Sequence, residues 1–302
     1  MKFIQLQIVK SLLHNGFSIS RAAQQHYIVQ SAVSRQLGLL EQELGSPLFE
    51  RKGKRLTGPT PLCISMVSYI DDIEQSLGNI RSLAEETLDG RIGELKIATT
   101  HLQAKYFLPD VMNDFIARYP KVKVHFLQGN PHQLVQMLHE QEADVAICTE
   151  DLAEDPQLIN HECYEWNHAL IVKPDHPLAT GDVSLERVAQ YPILTYVFGF
   201  TGRSKIYQAF SNQGLEMNVT FSAMDTDVIK SYVRLGYGVG IIAKMAWDSV
   251  ADDDLVLRDM AACFPSSMTR IAYLHNKHIR DYVADFIELN KYHGALRAPT
   301  ES

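Results

Sequence analysis

Residues 18–45, SISRAAQQHYIVQSAVSRQLGLLEQELG, constrain this chain more than any other stretch. Ser18 is a fitting helix N-cap, and Ala22-Ala23 permit close helix packing. A break at Tyr27-Ile28-Val29 separates this helix from a second one over 30–44, which Gly45 can end in a left-handed conformation. In the second helix Ala32, Val33, Leu37, Leu40 and Leu44 form one apolar face, while Gln30, Ser31, Ser34 and Arg35 lie on the outward, N-terminal side. Two short helices so joined read as a helix-turn-helix, whose second helix reaches base edges with such side chains. The segment LFERKGKRLTGPT (48–60) then places Arg51, Lys52 and Lys54 around Gly53 in a hairpin turn, a basic wing suited to gripping phosphates. A plain helix pair and a solvated turn are the alternatives for each piece; the ordered combination disfavours both.

Charge supports the division. Residues 1–60 hold eight basic side chains and three acidic ones, 8 − 3 = +5. The whole chain is −8, so the remainder carries −8 − 5 = −13. A basic head on an acidic body fits a protein that meets a polyanion through its head alone.

From Thr60 a long helix is expected to about residue 88, with Pro61 at its first position. Ile70, Ile73, Leu77, Ile80 and Ala84 recur at 3, 4, 3 and 4 residues. Such a seam must be buried, most simply against its twin in a second chain. Asp89-Gly90-Arg91-Ile92-Gly93 is the expected hinge.

Beyond it, strand candidates at 95–99, 123–126, 144–149, 169–172 and 193–196 alternate with helices such as 103–118 and 131–140. This is an open α/β pattern with a parallel sheet, in which ligands sit at the carboxyl ends of strands. Thr100-His101-Leu102-Gln103, Thr149-Glu150 and Thr195-Tyr196 fall at such ends, with Thr201-Gly202-Arg203 in a following loop. A helix start after a strand exposes unpaired N–H groups and can hold an anion; the plainer alternative is that Thr100 only caps its helix.

Catalysis is not expected. The chain has no GxSxG, HExxH or GxxxxGK[ST] motif, and Gly236–Gly240 lacks dinucleotide spacing and reads as a tight turn into a strand. His161 and Cys163 would share one strand face, but further metal ligands are not evident, so neither metal nor cofactor is expected. Cys148 lies in an apolar run as a small hydrophobe. The four cysteines form no pair motif, no run of eighteen apolar residues occurs, and Gln5, Gln7 and Lys10 interrupt the apolar start, so a cytoplasmic protein is expected.

Ser20-Arg21-Ala22-Ala23, the run Gln30 to Gln36, Leu40-Glu41-Gln42-Glu43-Leu44-Gly45 and Leu48-Phe49-Glu50-Arg51 resemble the LysR-type transcriptional regulators. The resemblance implies a winged helix-turn-helix (1–60), a linker and dimerisation helix (61–91), and a two-lobed effector domain like a periplasmic binding protein (92–302). Lobe I is then expected over 92–162 and 268–292, and lobe II over 163–267. It also implies Ser20, Arg21, Gln30, Ser31, Ser34, Arg35, Arg51, Lys52 and Lys54 on DNA. Promoter DNA, a small effector, further copies of the chain in a dimer or tetramer, and RNA polymerase are the implied partners, with no membrane among them.

Ile97–His101, Gln103-Ala104, Glu150, Tyr191-Pro192, Phe198–Arg203 and Asp225–Lys230 further resemble the CysB/Cbl subgroup, regulators of sulfur assimilation and cysteine biosynthesis that sense acetylserine or sulfur-containing anions. This implies an effector site at Thr100, Gln103, Thr149 and Thr201, with His101 and Leu102 in the same turn. The chain departs from the family pattern at Val29, Leu62-Cys63 and, within the subgroup, at Leu102, where threonine is common. Regulation of another pathway by a different small carboxylate is the alternative; a solute-binding protein or an enzyme is more remote.

Overall fold

The computed structural model describes residues 1–297 apart from Lys54 and Thr201, with the backbone alone at Glu85, Leu88 and Asp89. The chain divides into two compact units, Met1–Ala84 and the residues from Glu85 onward.

The first unit begins with α1 (Phe3–His14), α2 (Ile19–Gln25) and α3 (Gln30–Leu44). Ser18 caps α2 by accepting from the Arg21 N–H, and Gly45 ends α3 at φ +67°. Val29, 67% exposed, supplies no side-chain cap to α3, so the departure there leaves the helix start open. Val33, Leu37 and Leu40 turn inward with Ile8, Val9, Leu12, Ala22 and Ala23, whereas Leu44 is 37% exposed and outside that core. The hairpin of β1 (Phe49–Lys52) and β2 (Arg55–Pro59) follows, with Gly53 at φ +64° in its turn. Glu41 fixes the hairpin to α3: its carboxylate accepts from the Leu48 N–H at 2.9 Å and pairs with Arg51 at 2.5 Å.

Helix α4 spans Pro61–Asp89, and the Thr60 hydroxyl accepts from the Cys63 N–H at its start. Its apolar seam divides. Ile70 is 2% exposed within the head's own core, while Ile73, Ile80 and Leu83 are 37%, 62% and 49% exposed. Ile70 is therefore not part of an open seam, because one helical turn still faces α1, to which Lys10 ties it through Asp71 and Glu74.

The second unit contains two five-stranded sheets. The first has the order β4-β3-β5-β12-β6, built from β3 (Gly93–Thr99), β4 (Val122–Gln128), β5 (Val145–Cys148), β6 (Leu158–Trp166) and, late in the chain, β12 (Ser267–Leu274). Helices α5 (His101–Tyr106), α6 (Leu108–Arg118), α7 (Pro131–His139) and the late α11 (Asp281–Arg297) accompany it. The second sheet has the order β11-β7-β10-β8-β9: β7 (His168–Val172), β8 (Ile193–Tyr196), β9 (Val219–Ala223), β10 (Val239–Ala243) and β11 (Val256–Asp259). Its helices are α8 (Leu185–Val188), α9 (Arg203–Asn212) and α10 (Thr226–Arg234).

Neither sheet is wholly parallel, which corrects the sequence expectation. In each, four of the five strands run in one direction and a single strand, β12 or β7, runs antiparallel to both its neighbours. The chain crosses from the first sheet to the second at Asn167 and returns between Asp259 and Ser267, and two such strands between lobes force the reversal. Strand β6 remains in the first sheet to Trp166, paired with Ser267, so residues 163–166 belong with lobe I.

The single helix expected over 103–118 is two, broken at Phe107. Pro109 is the cause, since it lacks the N–H that would continue the ladder back to Lys105. The strand expected to align His161 with Cys163 carries an irregularity where Glu162 pairs with Arg270 but Tyr164 pairs with Thr269. That bulge breaks the alternation: His161 stacks on Tyr273, and Cys163 is buried. Among the described residues no helix is long and apolar enough to cross a membrane.

Candidate functional site

On the head, Ser20, Arg21, Gln30, Ser31, Ser34, Arg35, Arg51 and Lys52 are all exposed; Lys54 lies outside the described residues. The apolar side of α3 is consumed by the core, so Gln30, Ser31, Ser34 and Arg35 share the outward side at its N-terminus. That arrangement lets a helix enter a major groove end-on. Arg51 differs from the rest, because its guanidinium is already answered by Glu41. A charge held by a carboxylate has less to give a phosphate.

In the second unit the lobes meet along the ends of β3 and β5, and here the expected residues separate. Thr100 is the N-cap residue of α5, 7% exposed, and its side chain makes no cap hydrogen bond. The plainer alternative of a capping threonine is thus not what the hydroxyl does. Leu102 turns away, 6% exposed, into the core of lobe I with Phe107, Leu108 and Val111. One residue after Thr100's neighbour the helical twist carries the side chain inward, which explains why the chain tolerates leucine there. Gln103 is buried as well: its amide donates to the Thr269 hydroxyl at 3.2 Å and its oxygen accepts from the Tyr164 hydroxyl. Tyr164 and Thr269 face each other across β6 and β12, so Gln103 holds the turn to the sheet and positions Thr100.

The other two strand ends behave differently. Thr195 and Tyr196 are internal; Thr195 donates to the Ile241 carbonyl, and the Tyr196 hydroxyl bonds Thr226 and the Ala243 N–H. Thr149, by contrast, lines a cavity of about 360 Å³ with Glu150, Phe200, Gly202, Arg203 and Lys205. Thr201 lies outside the described residues. Within this cavity Glu150 of lobe I accepts from the Gly202 N–H of lobe II at 2.5 Å. Burial raises its carboxyl above the ordinary range, and that one N–H only partly offsets the effect. Gly202 sits at φ +67°, and any added Cβ would lie 2.7 Å from the His168 ring.

A second cross-lobe contact escaped sequence reasoning. Asp227 at the start of α10 accepts from the Tyr106 hydroxyl at 2.8 Å and pairs with Lys105, both from α5. His101 approaches Asp225 at 3.1 Å and Asp227 at 3.8 Å. The ligand atoms of His101, Asp225 and Asp227 lie within 4.8 Å of one another. The Lys105 ammonium on Asp227 makes the group an ion network joining the lobes. The signal was present as Asp225-Thr226-Asp227, but no local rule connects it to a tyrosine 121 positions earlier. Cys148 is fully buried with its thiol pushed well above the ordinary range by that burial, and is no nucleophile.

Comparison with known proteins accounts for both units. Residues 3–63 match the bacterial regulatory helix-turn-helix protein, lysR family, and residues 88–294 match the LysR substrate binding domain. The chain belongs to the LysR family. Its family is one of DNA-binding regulators rather than enzymes, whose members bind promoter DNA and small effectors and form oligomers. The HTH-type transcriptional regulator CysB of Haemophilus influenzae is 42% identical over 289 residues, covering 95% of this chain and 89% of that protein. The HTH-type transcriptional regulator SsuR of Burkholderia cenocepacia is 40% identical over 290 residues, covering 96% and 94%. Among solved structures, the cofactor-binding domain of the Cbl transcriptional regulator superposes on 67% of this LysR-family chain and 89% of its own, with a TM-score of 0.65 and 38% identity.

Proposed function

We propose that this LysR-family chain is a cytoplasmic regulator of sulfur assimilation and cysteine biosynthesis genes. In this reading residues 1–60 hold promoter DNA, 61–91 pair copies into a dimer or tetramer, and 92–302 sense a small anion between two lobes. RNA polymerase is the further partner at the promoter. The observation that carries the reading is the near-full-length likeness to CysB and SsuR, which spans head, linker and body alike. The strand ends support it: Thr100 presents a hydroxyl with no cap bond at a helix start, Thr149 lines the cavity with Gly199, Phe200, Gly202 and Arg203, and Gln103 holds the turn. His101, in the same turn, approaches Asp225 at 3.1 Å, and Leu102 packs into the lobe I core.

A thermal-shift series on the full chain tests this with acetylserine, sulfate, thiosulfate and adenylyl sulfate. A ligand held only by the folded state adds about 2.7 kcal/mol at a hundredfold excess over Kd, a clear rise in Tm. Thr100→Val should shrink that rise. A set of anions that leaves Tm unmoved would end the reading of the cleft as a sulfur-anion sensor.

A further inference from the structure

Arg203 carries a charge that no carboxylate among the described residues answers. Its side chain is 5% exposed in the first turn of α9. The guanidinium carbon lies 4.6 Å from the centroid of the Phe198 ring, and one N–H points to the Met217 sulfur at 3.7 Å. Among the described residues it has no carboxylate within ion-pair distance and no carbonyl acceptor. A guanidinium offers five donors in a planar fork, and removing one from water without an anion is costly. A thioether and a ring do not repay that cost. Other cations of the body show the ordinary solution: Lys230 and Arg234 share Asp252, and Arg270 pairs with Glu162.

The two carboxylates nearest in the same cavity do not serve Arg203. Glu150 turns to the Gly202 N–H, and neither it nor Glu165 pairs with Arg203. Yet Arg203 lines that cavity of about 360 Å³ beside Ser204, Gln208 and Thr149. The volume falls at the small end of small-molecule pockets and exceeds what one inorganic anion fills. Phe198, 63% exposed, screens the guanidinium from bulk water without neutralising it.

We propose that Arg203 receives the terminal oxyanion of an organic effector in this cavity, a carboxylate or sulfonate whose two oxygens match the guanidinium fork. The proposal rests on the cleft being the effector site, and adds the group that selects an organic anion over a bare one. The ligand completes a buried ion pair that the fold leaves half made, so binding and lobe closure are favoured together.

Calorimetry on the full chain with acetylserine, ethanesulfonate and inorganic sulfate tests it in the wild type, Arg203→Met, Arg203→Gln and Arg203→Lys. The organic anion that binds the wild type should weaken by about tenfold or more in Arg203→Met and Arg203→Gln, as expected for loss of a charge-assisted bond. Arg203→Lys should recover only part, since an ammonium lacks the fork. Sulfate should change by less than about threefold. Acetylserine and ethanesulfonate separate the carboxylate from the sulfonate source. Without ligand, Arg203→Met or Arg203→Gln should melt at or above the wild-type temperature, because an unanswered buried charge is gone. Organic-anion affinity undiminished in both variants would overturn this proposal alone, as would ligand-free melting temperatures that fall in both. A wild type that binds none of the three probes would overturn it together with the effector reading.

Discussion

Asp227→Ala should loosen the two lobes without unfolding either. The residue makes two cross-lobe bonds, from the Tyr106 hydroxyl at 2.8 Å and from Lys105. A hydrogen bond to a charged group is worth about 1.5–3 kcal/mol, and the low end applies here because the Asp227 side chain is 40% exposed. The Lys105 pair is exposed on both sides and adds about 0.5 kcal/mol. The sum, about 2 kcal/mol, is well below the 5–15 kcal/mol that stabilises a domain, so the lobes should separate locally first. Hydrogen exchange reads this directly: amides of α5 and α10 should exchange roughly 30-fold faster, while those of β3 and β10 keep their protection. The acid limb supplies a second check. Burial tends to raise the Asp227 carboxyl, but the bonds from Lys105 and Tyr106 outweigh it and hold it below its ordinary value. The native state therefore binds fewer protons than the unfolded one near that range. The contribution is complete above about pH 4 and is lost as pH falls through the native value. Wild type and Asp227→Asn should converge in stability at the acid end and differ at neutral pH. Exchange rates of α5 and α10 unchanged by Asp227→Ala would refute the latch.

Three further outcomes follow from the same geometry. Arg35→Ala should cost about 1–3 kcal/mol of DNA binding and relax sequence preference, while Arg51→Ala should alter head stability more than the salt slope, because Glu41 already holds Arg51; anisotropy titrations at several salt concentrations separate the two. Gly294→Ala should destabilise the body by about 1–3 kcal/mol despite its better helix propensity, since the new Cβ would lie 2.1 Å from the Cys163 carbonyl oxygen; urea unfolding followed by Trp166 fluorescence measures it. Lysine at Ile73 and Ile80, both exposed in the single chain, should leave the head folded but lower the mass seen by light scattering to that of a monomer, and an unchanged mass would remove α4 as the pairing surface.

What sequence conveys here follows the range of the interactions. Gly45, Ser18, Thr60 and Pro61 mark helix ends through bonds made within a few residues, and the ends fall where those residues stand. The turn through Gly236 and Gly238 into β10 is also local: at Gly238 a Cβ would meet the Pro192 carbonyl oxygen at 2.2 Å. Strand direction is not written in periodicity, because an alternating or apolar run reads the same in either sense; β12 makes the first sheet mixed and β7 the second, each through long-range pairing. The Tyr164–Gln103–Thr269 triad and the charge of Arg203 depend on partners over 60 residues apart or on a carboxylate missing among the described residues, which no window of sequence shows. The position of Thr100 and Thr149 just after β3 and β5 is legible because the apolar runs before them read as strands. Gln103's internal role is not, since an amide reads alike whether it holds a ligand or its own fold.

A small anion in the body should change what the head does to DNA. Selection of duplexes from a random library by the full chain, sequenced with and without acetylserine and sulfate, addresses both halves at once. Enriched sites with two related half-sites are expected, as paired recognition helices require, with an enrichment that shifts when one of the two ligands is present. A library that emerges without enriched sites, or enriched sites indifferent to both ligands, would contradict it.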